Sequence, residues 1–278
     1  MSTLSSVDGQ EPPALAAGAY VALAGGNYLS TDLTRGPWHP EHQHGGPPIA
    51  LAARCIERAA AGLGLSHIAR LTANLLRPIP IAELEIEVQT DYAGRNVAHF
   101  SARMIARGKD VARFTAVAQR ETGLDIPPGL PGHPLPQAPQ VLEQSASAPF
   151  LFASKVTGYH DLIEGRIAQG VSFRGPSAVW FRLRHALVAG EEPGGLERVA
   201  VAADSGNGIS AILDFHRYIF VNSDLTINLL RKARGEWICI DACTLLGPDG
   251  GGLAEARIFD VHGLIGRSTQ SLAIRLRD

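Results

Sequence analysis

Asp204, in the stretch "AADSGNG", is the acid best placed in this sequence to do chemistry. It stands where an apolar run ends and a glycine-rich turn begins. A carboxylate there can hold a water or take a proton from it, and neighbouring glycines let a ligand approach the backbone closely. The same residue also reads as a helix N-cap, a frequent use of aspartate before a helical turn. A second glycine pair, Gly45 and Gly46, follows His44 in "HGGPP" and opens the first helix, where unpaired N–H groups collect. His44 is either a polar group at a site or a residue packed beneath the turn. Two helix starts therefore offer N–H groups to a ligand, through His44, Gly45 and Gly46 in one and Gly206 and Gly208 in the other, and one of the two carries an acid.

Other chemistries lack their signatures. His39, His42 and His44 crowd into "WHPEHQH", but a loop of proline and histidine does not give the i, i+4 helical spacing of a zinc-binding pair, so no metal is expected. "GVSFR" at 170–174 misses the second glycine of a nucleophile elbow. No phosphate loop or dinucleotide fingerprint occurs, and no cofactor is expected. Cys55, Cys239 and Cys243 contain no CxxC pair and read as buried apolar thiols.

The elements that must position these groups are written twice. "LTANLLR" at 71–77 returns as "LTINLLR" at 225–231, six of seven letters alike at an offset of 154. The same offset lays Arg113 on Arg267 and Thr115 on Thr269, which points to a duplicated unit. Between the copies, "IPPGLPGHPLPQAPQ" holds six of the 18 prolines and cannot enter a sheet interior. The expected division is a first unit at 20–121, a linker at 122–154 and a second unit at 155–278. In the first, "GGPPIALAARCIERAAAGLG" is a helix, with Pro47 and Pro48 in its first turn and Gly62 or Gly64 at its end. Four alternating segments follow as an antiparallel meander. In the second, the strand "RVAVAAD" is expected to lead through "SGNG" into a helical piece "ISAILDF", then four more strands. Each unit is thus a helix wrapped by a sheet.

The bulk numbers set bounds. A chain of 278 residues with 45% apolar content can build sizeable cores, and no apolar run nears the roughly 18 residues that span a bilayer. The first 18 residues lack a basic stretch followed by an apolar one, so no secretory leader and a cytoplasmic location are expected. A net charge of −2 without long runs of either sign argues against nucleic acid or an anionic membrane as partner.

The ordered set "GPW", "HGGPP", "LLRP", "AD" before "GNG", "DLT", "LLR", "GEW" and "IGRSTQ" resembles the double-hotdog acyl-CoA thioesterases. The likeness is to the acyl-CoA thioesterase II group and its bacterial relatives, from about Tyr28 to Arg277. It implies an α+β fold of two joined hotdogs, an acyl-CoA substrate, and a homo-oligomer of double-hotdog subunits. It also implies a site in which an aspartate at the start of the second helix, a hydroxyl from the next strand and a glutamine from the last strand orient a water. Asp204 and Gln270 match the aspartate and the glutamine. Asn222 stands where the hydroxyl would, and its amide can still donate and accept hydrogen bonds. At the offset of 154, Gln270 falls on Ala116 and Asn222 on Ile68, so these polar groups occur in one copy only.

Thioester hydrolysis suits such a set. The thiolate leaves readily, so the reaction needs an activated water and donors for the oxyanion. Two rivals stand beside it. A hotdog hydratase or dehydratase needs an acid paired with a histidine, and near Asp204 the sequence offers only His216. A non-catalytic acyl-thioester binding protein would explain Asn222 as decay of a site. Arg77, Arg231, Lys232 and Arg234 are cations available to coenzyme A phosphates, or simply solvated strand ends.

Overall fold

Strands form where apolar and polar residues alternate, and a helix forms where small apolar residues cover every side. The computed structural model describes residues 18–147 and 155–277. The expected absence of a leader and part of the 122–154 linker fall on residues outside that range.

In the first half, β1 (Gly18–Ala22) and β2 (Tyr28–Ser30) precede helix α1 (Gly46–Gly62), followed by β3 (His67–Leu75), β4 (Glu83–Ala93), β5 (Val97–Ala106) and β6 (Lys109–Gln119). Residues 120–141 hold neither helix nor strand. The second half contains β7 (Ala146–Ser147), α2 (Tyr159–Leu162), β8 (Ile163–Gln169), β9 (Ser177–Leu183), β10 (Ala186–Val188), α3 (Gly195–Ala203) and α4 (Gly206–Ile209). Then come β11 (Tyr218–Asn222), β12 (Asp224–Leu229), β13 (Ile238–Leu246), β14 (Gly251–Asp260) and β15 (Gly263–Leu276).

The 15 strands of the described residues join one sheet, in the order β10-β1-β2-β4-β5-β6-β3-β12-β15-β14-β13-β9-β8-β7, with β11 alongside β15. The centre is symmetric: β4-β5-β6-β3 on one side answers β13-β14-β15-β12 on the other. The repeated strand pairs with its own copy, Thr72 opposite Thr226, and Thr226 Oγ1 donates to Thr72 Oγ1 at 3.2 Å. The offset of 154 then runs through every neighbouring pair. Thr72 faces Thr115 as Thr226 faces Thr269, and Ser101 faces Thr115 as Glu255 faces Thr269. Irregularities repeat too: the register shift after Met104 in β5 recurs after Ile258 in β14.

One face of this sheet is apolar at every second residue. Ala98, Phe100, Ala102, Met104 and Ala106 of β5 are buried, and so are Ala112, Phe114, Ala116 and Ala118 of β6. Helix α1 lies against this face, buried without a break from Gly46 to Arg54. Pro47 and Pro48 occupy its first turn, where the missing N–H groups have no helical partner to lose. At the other end Gly64 takes φ +69°, Leu65 N–H reaches Ala60 O (3.0 Å) and Gly64 N–H reaches Ala61 O (2.9 Å). This is a Schellman closure, which needs a left-handed residue that glycine supplies without strain.

Three expectations are corrected. "RVAVAAD" is the body of helix α3, not a strand. Its V-A-V-A alternation is apolar at every position, so period 2 carries no signal, and burial on all sides against α1 selects the helix. "ISAILDF" is largely irregular, the helical turn being α4. "YIFVNSDLTINLL" is broken at Ser223 into β11 and β12. β1, β2 and β8–β10 were not anticipated.

Glu197 of α3 is only 7% exposed, and burial pushes its carboxyl up from 4.5 to about 7. A carboxyl raised on folding binds its proton more tightly in the native state. Its contribution is fully present below about pH 4.5 and is lost as pH rises through about 7. Glu197→Gln keeps the neutral form at every pH. It should raise stability at pH 8 by on the order of 2–3 kcal/mol while leaving pH 4.5 nearly unchanged. Denaturant unfolding of both proteins at the two pH values checks this, and an equal shift at both would reject it.

Candidate active site

Asp204 caps the C-terminal end of α3 (φ −64°, ψ −21°) and is 7% exposed. The expected helix start is thus a helix end, where the dipole opposes a negative charge. Other groups compensate. Asn222, at the end of β11, donates its Nδ2–H to Asp204 Oδ1 at 3.0 Å. His44, just before α1, brings Nδ1 to 3.0 Å from Asp204 Oδ2. The same Nδ1 lies 3.2 Å from the Gly46 nitrogen, whose N–H it can accept. Donating to the carboxylate and accepting from Gly46 exclude each other, so the location of one proton decides which bond is made.

This corrects the expectation that only His216 could stand near the acid. His216 is exposed, with its backbone N–H on Asp214 Oδ1 (2.9 Å). The partner is His44, from the other half of the chain, 160 positions from Asp204 in the sequence. Its loop is pinned on both sides: His44 N–H donates to Thr34 O (2.8 Å), and Gln43 accepts from the Tyr20 hydroxyl (2.6 Å). The His44 ring stacks flat on Tyr159, centroids 3.7 Å apart and planes 5° off parallel. Tyr159 is fully buried, which drives its phenol well above the ordinary value, so it stays neutral. Its hydroxyl reaches Val201 O (3.0 Å) and Ser205 Oγ (3.1 Å), tying the His44 platform to the turn that carries Asp204. Nothing in its local sequence marked Tyr159.

Gln270, expected to hold the water, is 2% exposed, and both ends of its amide go to backbone. Its Oε1 accepts from Asn207 N–H (2.9 Å) and its Nε2 donates to Asp204 O (3.2 Å). It therefore fixes the Asp204–Asn207 turn and does not line the cavity. Among the glycines, Gly45 and Gly208 line it, while Gly46 and Gly206 lie behind. A Cβ on Gly46 would sit 2.9 Å from Val201 O, and one on Gly206 would sit 3.2 Å from Gln270 Oε1. Their smallness serves close packing of the helices rather than access for a ligand.

The cavity measures about 110 Å³. His44, Asp204, Ser205, Asn207 and Asn222 form its polar end, and Val179, Phe181, Ile209, Phe220 and Phe173 an apolar wall, with Trp38 and Phe215 (rings 4.8 Å apart) beside them. Of the cations suggested for phosphates, Arg231 is held bidentately by Asp260 (2.5 and 2.7 Å) and Lys232 by Glu121 (2.7 Å). His39 and His42 stack on each other (4.3 Å) while His44 turns away to Asp204. No helix among the described residues is long and apolar enough to cross a membrane.

A family model described as the acyl-CoA thioesterase C-terminal domain matches residues 132–274, and one described as the N-terminal domain matches residues 34–119. The chain belongs to the acyl-CoA thioesterase family. Its catalytic class is accordingly thioester hydrolysis. No curated protein matches the chain. Among solved structures, a candidate thioesterase II from Thermobifida fusca YX shares the fold at TM-score 0.71 with 16% identity, over 93% of this chain and 96% of that one. A candidate thioesterase from Novosphingobium aromaticivorans DSM 12444 gives TM-score 0.68 and 20% identity, over 92% and 98%. The acyl-CoA thioesterase II TesB2 from Mycobacterium marinum gives 0.62 and 15%, over 94% and 96%. The double-hotdog α+β architecture is thus shared along nearly the whole length.

In this thioesterase the backbone of one half touches the acid of the other. A Cβ on Gly45 would stand 2.8 Å from Asp204 Oδ2. Gly45→Ala must therefore turn the carboxylate off its His44 and Asn222 contacts. It should lower turnover by about 10–10² through misplacement of the acid, with folding retained. Thiol release and circular dichroism on the variant check this, and full activity would show that Asp204 can move without consequence.

Proposed function

We propose that the chain hydrolyses acyl-CoA thioesters in this cavity, with Asp204 as the base that activates water. The observation that carries the reading is a buried carboxylate at the polar end of an apolar-walled cavity, held on both oxygens by His44 and Asn222. The apolar wall suits an acyl chain. The water gives a proton to Asp204 as its oxygen bonds to the thioester carbon. The tetrahedral oxyanion then collapses, the C–S bond breaks, and the departing thiolate takes the proton from Asp204. Asn222 orients Asp204, Gln270 fixes the turn beneath it, and Gly45 and Gly208 leave the backbone open to the substrate. The division into hotdogs at 20–121 and 155–278 around a 122–154 linker belongs to the same proposal, supported by the register that repeats at 154.

A second reading gains from one observation. The His44–Asp204 pair supplies the acid and base that hydration of an enoyl thioester requires. Thiol release from a panel of acyl-CoAs, run beside loss of enoyl absorbance, separates the two reactions. Binding without either reaction would identify an acyl-thioester binding protein.

For hydrolysis, Asp204→Asn should cost about 10²–10⁴ in kcat, the range for a positioned base. Asn222→Leu removes the donor from Asp204 Oδ1 and should cost roughly 10²-fold, whereas Asn222→Thr, which keeps a hydroxyl donor, should retain much of the rate. Thiol-reagent kinetics on the folded variants decide the roles. Equal rates in wild type and Asn222→Leu would make Asn222 structural.

A further inference from the structure

Two guanidinium groups stand where the cavity opens, and neither has a carboxylate partner. The cavity follows β11, from Asn222 at its polar end past Phe220 to Phe215. Trp38 is 46% exposed and Phe215 is half-buried, so that end faces solvent. Arg277 lies across it. Its Nε donates to Phe215 O at 2.7 Å, and its guanidinium carbon sits 4.7 Å from the centroid of the Phe215 ring. Arg217 is on the same rung of the sheet, since Arg277 N–H donates to Arg217 O at 2.9 Å. Its guanidinium lies over Tyr218, 5.5 Å from the ring centroid. Both side chains are exposed, and neither forms an ion pair among the described residues. The neighbouring acid, Asp214, accepts from the His216 N–H (2.9 Å). Both cations belong to the copy that carries Asp204: at the offset of 154, Arg217 falls on Leu63 and Arg277 on Gly123.

We propose that Arg217 and Arg277 bind the diphosphate of coenzyme A, with the thioester at Asp204 and the pantetheine arm lying along β11 between them. The inference rests on the hydrolytic reading above and assigns the part of the substrate that the cavity does not enclose. Length supports it. Asn222, which touches Asp204, is five residues from Arg217, about 17 Å at roughly 3.4 Å per strand residue. The arm has about 13 bonds from the thioester sulfur to the first phosphorus, or about 16 Å at the roughly 1.2 Å per bond of an extended chain. Chemistry supports it too. A guanidinium meets phosphate oxygens with paired N–H donors. The bond to Phe215 O uses only Arg277 Nε, so its terminal nitrogens can turn to the ligand. Arg231 and Lys232, by contrast, are already held by Asp260 and Glu121.

The test uses the full chain and one straight-chain acyl group carried on coenzyme A, on phosphopantetheine and on pantetheine. Glutamine keeps an N–H for Phe215 O and removes the charge. The double variant Arg217→Gln, Arg277→Gln should lower kcat/KM for the acyl-CoA by about 10–10²-fold through KM, about one order of magnitude per lost charged contact. The acyl-pantetheine, which carries no phosphate, should change by less than about twofold. Should the double variant fail to fold, Arg217→Gln alone should show about a tenfold loss with the same split. Equal losses on both substrates, or none on the acyl-CoA, would overturn the proposal. In wild type the acyl-phosphopantetheine should fall between the other two. If it matched the acyl-CoA, the arginines would serve a single phosphate, as on a carrier protein's prosthetic group, and the coenzyme A assignment would fail. If wild type hydrolyses none of the three, the hydrolytic reading fails, and calorimetry with free coenzyme A decides the site by itself. A loss of tenfold or more in the double variant then supports it, and unchanged affinity overturns it.

Discussion

Everything at the site follows from one strand pairing with its own copy. When β3 and β12 pair antiparallel with Thr72 opposite Thr226, a local twofold relation runs through that threonine pair, because 72 and 226 are the same position in the two copies. The helices of the two halves must then lie side by side in opposite directions beneath the joined sheet. The start of each meets the end of the other. At one crossing Gly45 and Gly46 press on Asp204 and Val201, and at the other Gly194 lies beside Glu57 and Glu197. Only a very small residue fits where Gly46 meets the α3 backbone at Val201 O, which accounts for glycine at that start and for the alanines of α1 and α3.

The twofold relation is then broken, and the break is chemical. The bulge between Ile68 and Arg70 in β3 is matched at Ser223, since Ile68 faces Ala118 as Asn222 faces Leu272. In the first half the strand continues through the bulge. In the second it splits into β11 and β12, and the residue at the break, Asn222, delivers its amide to Asp204. On the partner strand, Gln270 stands where Ala116 stands in the first copy. At the other crossing Ile68 lines a small apolar-edged hollow with Leu196, Leu229 and Glu57. Glu57 and Lys232 are the charged groups of that hollow, and Ile68 brings no polar side chain to them.

The fold was legible because its signals are local and redundant: alternation in β5 and β6, prolines and glycine at the ends of α1, and a repeat at a single offset. α3 was misread because "VAVAA" is apolar throughout, and periodicity says nothing once every side is buried. The site was legible in part. Asp204 and Asn222, two of the three residues expected to orient a water, do meet, while the Gln270 amide bonds to the backbone of the Asp204–Asn207 turn, a fact only distances can show. Tyr159 left no mark in the sequence, since it acts through partners remote along the chain. His44 was visible as a residue but not as the partner of Asp204, because no reading of spacing brings positions in different halves together.

That last point bears on why the two halves remain one chain. A carboxylate at the C-terminal end of α3 is opposed by the helix dipole, and burial makes the charge costlier still. Asn222 answers one oxygen from within the second half. The other oxygen is answered by His44, whose orientation depends on the Tyr20–Gln43 bond of the first half and on the Tyr159 ring of the second. Remove the first half, and Asp204 loses the imidazole beside Oδ2 and the Gly45 backbone that packs on it. The placement of the acid is therefore a property of the packed pair and not of either copy. An arrangement that sets a base at the seam between two units holds its geometry only as firmly as the seam holds, and here that seam is a continuous sheet with glycine-tight helices under it.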